Sequence, residues 1–165
     1  MNVVNVAFPS RPRPRRRPAA FLPVLVLGLL LVALTGCSSF GREWRAAARQ
    51  PAPALGIGGR WEGVWVSEVN GHRGRLRAIL TPETNQVWRA RFHARYAGLL
   101  TFGYTVQLHT TEAAEGEVRF EGEADLGKLA GGVYTYAGRA NATNFFATYR
   151  SRDDHGRFEL RRPGP

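Results

Sequence analysis

The sequence predicts an all-β protein: an eight-stranded antiparallel up-and-down barrel, preceded by a signal peptide and a tether. Three observations support this prediction. Apolar and polar residues alternate with a period of two from Arg60 onward, short turn-forming connections recur between these segments, and the segment before them ends at the only cysteine, Cys37. Such alternation is typical of strands with one buried face, and closure into a barrel leaves no strand edge exposed.

The chain divides into three predicted parts. These are residues 1–36 as a signal peptide, 37–59 as a lipidated N-terminus with a flexible tether, and 60–162 as the barrel domain. In the first part, five arginines between Arg11 and Arg17 precede an apolar run of 16 residues, from Ala19 to Leu34. This run is shorter than the roughly 20 apolar residues that a transmembrane helix needs. A basic segment, an apolar core and a small-residue exit indicate an export signal that is normally removed.

The exit of this segment reads Leu34-Thr35-Gly36-Cys37. It resembles the lipobox of bacterial lipoproteins, which implies cleavage before Cys37 and attachment of diacylglycerol and palmitate-type acyl chains to that residue. The resemblance also implies a protein anchored in the bacterial cell envelope. Ser38 follows the cysteine, and in the enterobacterial pattern this favours the outer membrane, with the domain facing the periplasm. An ordinary secretory peptide and an uncleaved anchor helix are the alternatives.

The charge of the whole chain is dominated by arginine. It contains 23 basic and 13 acidic residues and has a formal net charge of +10. Five basic residues and no acidic ones lie in the predicted signal peptide, so 18 basic residues remain against 13 acidic ones, a net charge of +5. The basicity of the full chain is therefore partly a targeting feature. Together with export, this disfavours a nucleic-acid partner.

The predicted tether contains the sequence SSFGREWRAAARQ, followed by a linker rich in proline, alanine and glycine. The first piece is compatible with a brief helix that holds Phe40 and Trp44 near the membrane and its arginines near lipid phosphates. A disordered spacer is the alternative.

The alternation defines eight strands. They are predicted at Arg60–Val69, Arg75–Thr81, Val87–Ala97, Thr101–Thr111, Glu117–Leu126, Val133–Ala140, Asn144–Ser151 and Arg157–Arg162. The third strand has the clearest pattern, since alternate residues from Trp88 to Tyr96 are apolar and those from Arg89 to Arg95 are basic. Such a sheet packs on one side and faces water on the other. A two-sheet sandwich is the alternative, and the charged outward face disfavours a membrane-spanning barrel.

The first strand opens with Gly59-Arg60-Trp61. This Gly-x-Trp resembles the opening motif of lipocalins and their calycin relatives. The resemblance implies that Trp61 closes one end of the barrel and that an arginine from the last strand packs over it. Arg157, Arg161 and Arg162 are the three candidates.

The inward positions predict either a filled interior or a ligand pocket. An eight-stranded barrel is just wide enough to be filled by side chains or to hold one small ligand. All five tyrosines fall on inward positions, and buried phenols need hydrogen-bond partners, which favours an amphipathic mouth. Tyrosine tips that simply reach solvent at a rim are the alternative. The predicted ligand-binding residues are Trp88, Phe92, Tyr96, Phe102, Tyr104, Phe120, Tyr134, Tyr136 and Tyr149.

A basic surface is predicted on the outer face of the second and third strands. Like charges directly opposite each other across two strands are destabilising, so an anionic partner is one explanation and a general use of arginine is the other. The residues of this surface are Arg73, Arg75, Arg77, Arg89, Arg91 and Arg95.

The sequence carries no motif that predicts catalysis, a metal or a cofactor. No histidine or cysteine spacing resembles a metal site. Ser151, Asp154 and His155 share one hairpin, but so short a separation favours a turn over a catalytic triad. The predicted function is a non-enzymatic envelope lipoprotein that binds a small amphipathic or lipidic ligand. A structural or accessory lipoprotein, with a filled barrel that docks through its basic surface on an anionic envelope component or a protein, is the alternative.

Overall fold

The computed structural model describes residues 39–50, 56–112 and 116–164. The predicted signal peptide and Cys37 lie outside the described residues. The secondary structure elements are a helix α1 at residues 39–48, then β1 Gly59–Ser67, β2 Arg73–Pro82, β3 Val87–Tyr96, β4 Leu100–Glu112, β5 Val118–Asp125, a short 3₁₀ helix Lys128–Ala130, β6 Val133–Ala140, β7 Asn144–Arg150 and β8 His155–Arg161.

The eight strands form one closed barrel. Each strand pairs with the next along the chain, and β1 pairs with β8 in an antiparallel register that joins Gly63 to Leu160. The prediction of an eight-stranded antiparallel up-and-down barrel is confirmed, and the sandwich alternative is wrong. The observed strands begin and end within two residues of the predicted ones.

The two ends of the barrel differ. We call the end that carries the β1–β2, β3–β4, β5–β6 and β7–β8 connections the open end, and the opposite end the closed end. At the closed end, large inward side chains face small ones on the neighbouring strand. Trp61 is opposite Ala78, and Phe120 is opposite Gly138. Large and small residues placed in this way interdigitate, so this half of the interior is filled.

Trp61 and Arg162 hold the closed end together. Trp61 is fully buried, and its indole Nε1 donates a hydrogen bond of 2.8 Å to the Ile57 carbonyl oxygen. The guanidinium of Arg162 lies 3.8 Å from the centre of the Trp61 ring. It also donates to the Gly58 carbonyl oxygen and, at 3.3 Å, to the Ala142 carbonyl oxygen. Of the three candidate arginines, it is therefore Arg162 that packs over Trp61.

The helix α1 packs against the outer wall of the barrel. Phe40 is buried and stacks on His93 with ring centres 4.8 Å apart. The guanidinium carbon of Arg77 lies 4.8 Å from the centre of the Trp44 ring. Part of the predicted flexible tether is therefore ordered on the barrel, because the apolar face of α1 finds aromatic and cationic partners there. Within the described part of the chain, no helix has both the length and the apolar character needed to span a bilayer.

Candidate ligand-binding cavity

The interior of the barrel contains a cavity of about 320 Å³ at the open end. Trp65, Leu76 and Phe158 form part of its wall, and Leu100 and Phe102 lie at its rim. All five tyrosines of the chain line it: Tyr96, Tyr104, Tyr134, Tyr136 and Tyr149. The barrel is thus filled at one end and hollow at the other.

Three of the nine predicted binding residues lie outside the cavity wall. Phe92 lies on the closed-end side of the cavity and stacks on Tyr104 with ring centres 5.2 Å apart. Trp88 and Phe120 point into the closed half, because β3 and β5 both start at that end. Phe120 stacks there on Phe145 with ring centres 4.7 Å apart. The other six, which are the five tyrosines and Phe102, line the cavity.

The tyrosine side chains form a connected polar group on an apolar wall. The Tyr104 and Tyr136 rings stack with their centres 6.2 Å apart. The Tyr134 ring centre lies 6.4 Å from that of Tyr136 and 6.0 Å from that of Tyr149. Phenol rings contribute apolar area and keep a polar tip. The cavity therefore offers apolar contact together with hydroxyl groups that can donate or accept hydrogen bonds.

Asp154 brings a carboxylate to this polar group. The Ser67 hydroxyl donates to Asp154 Oδ1 at 2.6 Å, and the Tyr149 hydroxyl donates to Asp154 Oδ2 at 3.2 Å. Ser67 is almost completely buried at the end of β1. Its hydroxyl also accepts a hydrogen bond of 3.3 Å from the Val69 N–H. This arrangement connects the β1–β2 turn to the β7–β8 turn and fixes the Asp154 side chain at the cavity wall.

Burial raises the pKa of three cavity tyrosines above the usual value of a phenol. For Tyr104, the neighbouring Tyr136 adds to the effect of burial. For Tyr136, burial outweighs the opposing effect of the neighbouring Tyr104 hydroxyl on the pKa. For Tyr149, the negative charge of Asp154 adds to burial. These phenols are therefore protonated donors over the whole neutral range.

Raising the pH above about 10 is expected to lower the free energy of unfolding, because the unfolded chain then releases phenolic protons that the folded barrel retains. This contribution to stability is present below the unfolded-state pKa and is lost as the pH rises towards the raised pKa values of Tyr104, Tyr136 and Tyr149. Each phenol accounts for up to about 1.4 kcal/mol per pH unit. Lys128 is the only lysine, so few other side chains titrate there.

Urea unfolding followed between about pH 8 and pH 11.5 measures this dependence. Absorbance of the phenolate form is expected to show some tyrosines titrating only as the barrel unfolds. A stability that is flat over this range, or phenols that all titrate together in the folded state, would contradict the buried tyrosine group.

The hairpin that contains Ser151, Asp154 and His155 is built as a turn. The Ser151 hydroxyl donates to the Asp154 carbonyl oxygen at 3.1 Å and accepts from the Asp154 N–H at 3.0 Å. The Asp154 carboxylate is bonded to Ser67 and Tyr149. Ser151 and Asp154 thus make contacts that stabilise the loop and the cavity wall. Among the described residues, no group of three or more His, Cys, Asp or Glu side chains is placed to hold a metal ion.

The basic surface is divided by α1. Arg91 pairs with Glu43 and donates to the Ser39 hydroxyl at 2.6 Å, and Arg77 pairs with Glu62 at 3.4 Å. Arg89 is exposed and donates to the Thr81 hydroxyl at 3.3 Å. A separate set is exposed towards the open end: Arg73, Arg75 and Arg95. The sequence predicted one continuous surface, but the docked helix leaves only part of it free.

The hydrogen bond between Ser67 and Asp154, which places a carboxylate on the cavity wall, was not predicted. Ser67 has the same parity in β1 as Trp61 and Trp65, so a lone polar residue on an inward position was the available signal. Asp154 was interpreted only as a turn residue, since nothing in the local sequence shows that the β1–β2 turn lies beside it.

Comparison with models of known families and with curated proteins finds no match to this chain. The lipobox at Cys37 and the lipocalin-like Gly59-Arg60-Trp61 motif remain predictions.

Proposed function

We propose that the protein is a lipid-anchored envelope protein whose barrel binds one small amphipathic ligand, without catalysis, in the cavity at the open end. The observation that carries this proposal is a 320 Å³ cavity lined by all five tyrosines. Ligand sites usually have volumes of about 300 Å³ or more and combine apolar walls with a few polar groups. A cavity of this size accommodates a ring system or one short chain, and it is too small for a diacyl lipid.

The charge of the cavity narrows the ligand class. Asp154 is the one charged side chain on the described cavity wall. Its two oxygens accept from Ser67 and Tyr149, and an ionised carboxylate has acceptor capacity for further donors. A ligand with a hydroxyl or ammonium group beside Asp154 is therefore favoured. A fatty-acid carboxylate is disfavoured, because like charges repel at this partly buried position.

The anchoring part of the proposal is supported by the signal-like segment and the lipobox-like Leu34-Thr35-Gly36-Cys37. Several acyl chains on Cys37 would hold the protein at a membrane, since one chain alone binds only marginally. The proposed location is the bacterial cell envelope, in the outer membrane and facing the periplasm. The alternative of an accessory protein with a filled barrel is less well supported, because the open half of the interior contains space.

Calorimetric titration with octylamine, octanol and octanoate at neutral pH tests the ligand class. We expect octylamine and octanol to bind and octanoate to bind at least about tenfold more weakly, a difference of about 1.4 kcal/mol. Asp154→Asn is expected to weaken octylamine binding by about tenfold and to leave octanol binding within about twofold. It removes the charge, while the introduced amide oxygen can still accept from the Ser67 hydroxyl and the amide nitrogen can donate to the Tyr149 hydroxyl oxygen.

Asp153→Asn is the matched control. Asp153 is the adjacent residue, is exposed, and pairs with Arg152 at 2.8 Å outside the cavity. This substitution should leave the affinities for all three compounds unchanged. Octanoate binding as tight as octylamine binding would contradict the assigned ligand class, and the absence of binding by all three would contradict the proposed function.

A further inference from the structure

The rim of the open end carries an exposed apolar tip. The β3–β4 hairpin turns at Ala97 and Gly98, both with positive φ, and presents Leu99 at 89% exposure and Leu100 at 66% exposure. Val133, on the far side of the mouth, is also exposed. Two neighbouring leucines at the tip of a hairpin are unlike the scattered apolar residues of an ordinary surface, and such a patch indicates an interaction site.

Unpaired arginines lie next to this tip. Arg95 precedes Tyr96, the residue at which the hairpin begins, and it lies directly opposite Arg75 in the β2–β3 register. Arg73 lies two residues nearer the open end on β2. None of these three arginines forms an ion pair with a described residue. Directly opposed like charges are unfavourable, and lipid phosphates would offset that repulsion.

The direction of α1 determines which of its ends lies nearer the mouth of the barrel. Ser39, at its start, contacts Arg91, and Phe40 contacts His93. Residues near its end, Ala47 and Gln50, lie instead beside β1 and β2 at the closed end. The start of α1 is therefore the end nearer the mouth. Cys37 precedes Ser39 by two residues, a reach of at most about 7 Å.

The start of α1 lies beside the middle of β3, below the rim of the open end. His93 is three residues from Tyr96 along β3, a distance of about 10 Å. The chain leaves Ser39 beside Arg91, which is five residues, or about 17 Å, from Tyr96. The two residues to Cys37 cover at most about 7 Å of this distance, and acyl chains on Cys37 would have to span the rest. If Cys37 is lipidated, a membrane lies within reach of the open end, whereas the closed end faces away.

We propose that the open end docks on an anionic phospholipid bilayer, with Leu99 and Leu100 in the interface and Arg73, Arg75 and Arg95 on lipid phosphates. Apolar residues beside a basic cluster suit this type of surface, where each arginine contributes about 1 kcal/mol. The cavity mouth would then face the bilayer, so the ligand would exchange with the membrane. The exchange step depends on the proposed ligand binding, whereas the docking does not.

Site-specific fluorescence tests the docking. Leu99→Cys and, as a matched position at the closed end, Ala142→Cys are each labelled with an environment-sensitive NBD fluorophore in the full chain. The proteins are reconstituted into phosphatidylcholine vesicles with about one third phosphatidylglycerol. The unsubstituted chain, which contains only Cys37, is labelled in parallel as the background. Because position 142 lies in the β6–β7 turn, its label reports on the closed end.

We expect the label at position 99 to shift its emission to the blue and to be quenched several-fold more by spin-labelled lipid than the label at position 142. Arg73→Glu, Arg75→Glu and Arg95→Glu combined with Leu99→Cys should return the emission to that of a label in water, with the thermal unfolding temperature checked for each protein. Equal exposure of both labels would overturn the docking and would favour a protein partner for the rim.

Burial at position 99 that is equally strong in vesicles of phosphatidylcholine alone would overturn the role of the three arginines. Octylamine titration of the same proteins separates this proposal from the proposed function. Preserved octylamine binding with an exposed label contradicts only the docking, and a buried label without octylamine binding contradicts only the ligand site.

Discussion

Replacing Arg162 with alanine is expected to destabilise the barrel by about 3 kcal/mol. The substitution removes a cation–π contact with the fully buried Trp61 ring, worth up to about 2 kcal/mol where water is excluded. It also removes the donors that bind the Gly58 and Ala142 carbonyl oxygens. Hydrogen bonds from charged groups contribute about 1.5–3 kcal/mol each where they are buried. Their contribution is smaller here because Arg162 is only partly buried. Arg162 connects the segment before β1 to the β6–β7 turn, so its loss should loosen the whole closed end.

Arg161→Ala is the matched control for this substitution. Arg161 is the neighbouring residue and its side chain is exposed, so the expected change is within about 0.5 kcal/mol. Chemical denaturation of both variants measures the difference. Similar losses for the two variants, or a loss below about 1 kcal/mol for Arg162→Ala, would contradict the role assigned to Arg162.

Ala94→Phe is expected to abolish ligand binding while the barrel remains folded. Ala94 lines the cavity and lies opposite Leu76 in the β2–β3 register. A phenyl ring at this position would occupy the space that the proposed ligand needs. Octylamine affinity should fall by at least about 100-fold. The free energy of unfolding should change by no more than about 1.5 kcal/mol, since the ring fills existing space rather than displacing packed side chains.

Ala137→Phe provides the control for a phenyl ring added elsewhere on the barrel. Ala137 is an exposed residue of β6 on the outer face. Octylamine affinity should be unchanged in this variant. Octylamine binding to Ala94→Phe with undiminished affinity would place the ligand outside the cavity.

The alternation of side chains along each strand predicts which face a residue occupies, but not its height in the barrel. The inward placement of Tyr104 and Phe120 could be predicted from the sequence. That Tyr104 lines the cavity and Phe120 packs in the closed half depends on the direction of β4 and β5 within the closed sheet. The alternation does separate Arg162 from Arg161, since Arg162 has the same parity as the inward Phe158 and Leu160. That Arg162 reaches over Trp61 depends on its height, just beyond β8 at the closed end.

The position of α1 could not be predicted because its apolar face has two physically reasonable partners. Phe40 and Trp44 suit a membrane interface as well as they suit aromatic and cationic side chains. On the barrel wall, His93 stacks on Phe40 and the Arg77 guanidinium packs on the Trp44 ring. These contacts come from strands more than 30 residues away in the sequence, so no local pattern identifies them.

Native mass spectrometry of the protein extracted gently from its own membranes tests most directly whether the hollow half of the barrel is a ligand site. We expect part of the wild-type population to carry the mass of one small molecule, which is released on collisional activation. The Ala94→Phe variant prepared in the same way should carry none. A wild-type protein without any added mass, or the same added mass on Ala94→Phe, would contradict a ligand site in the cavity.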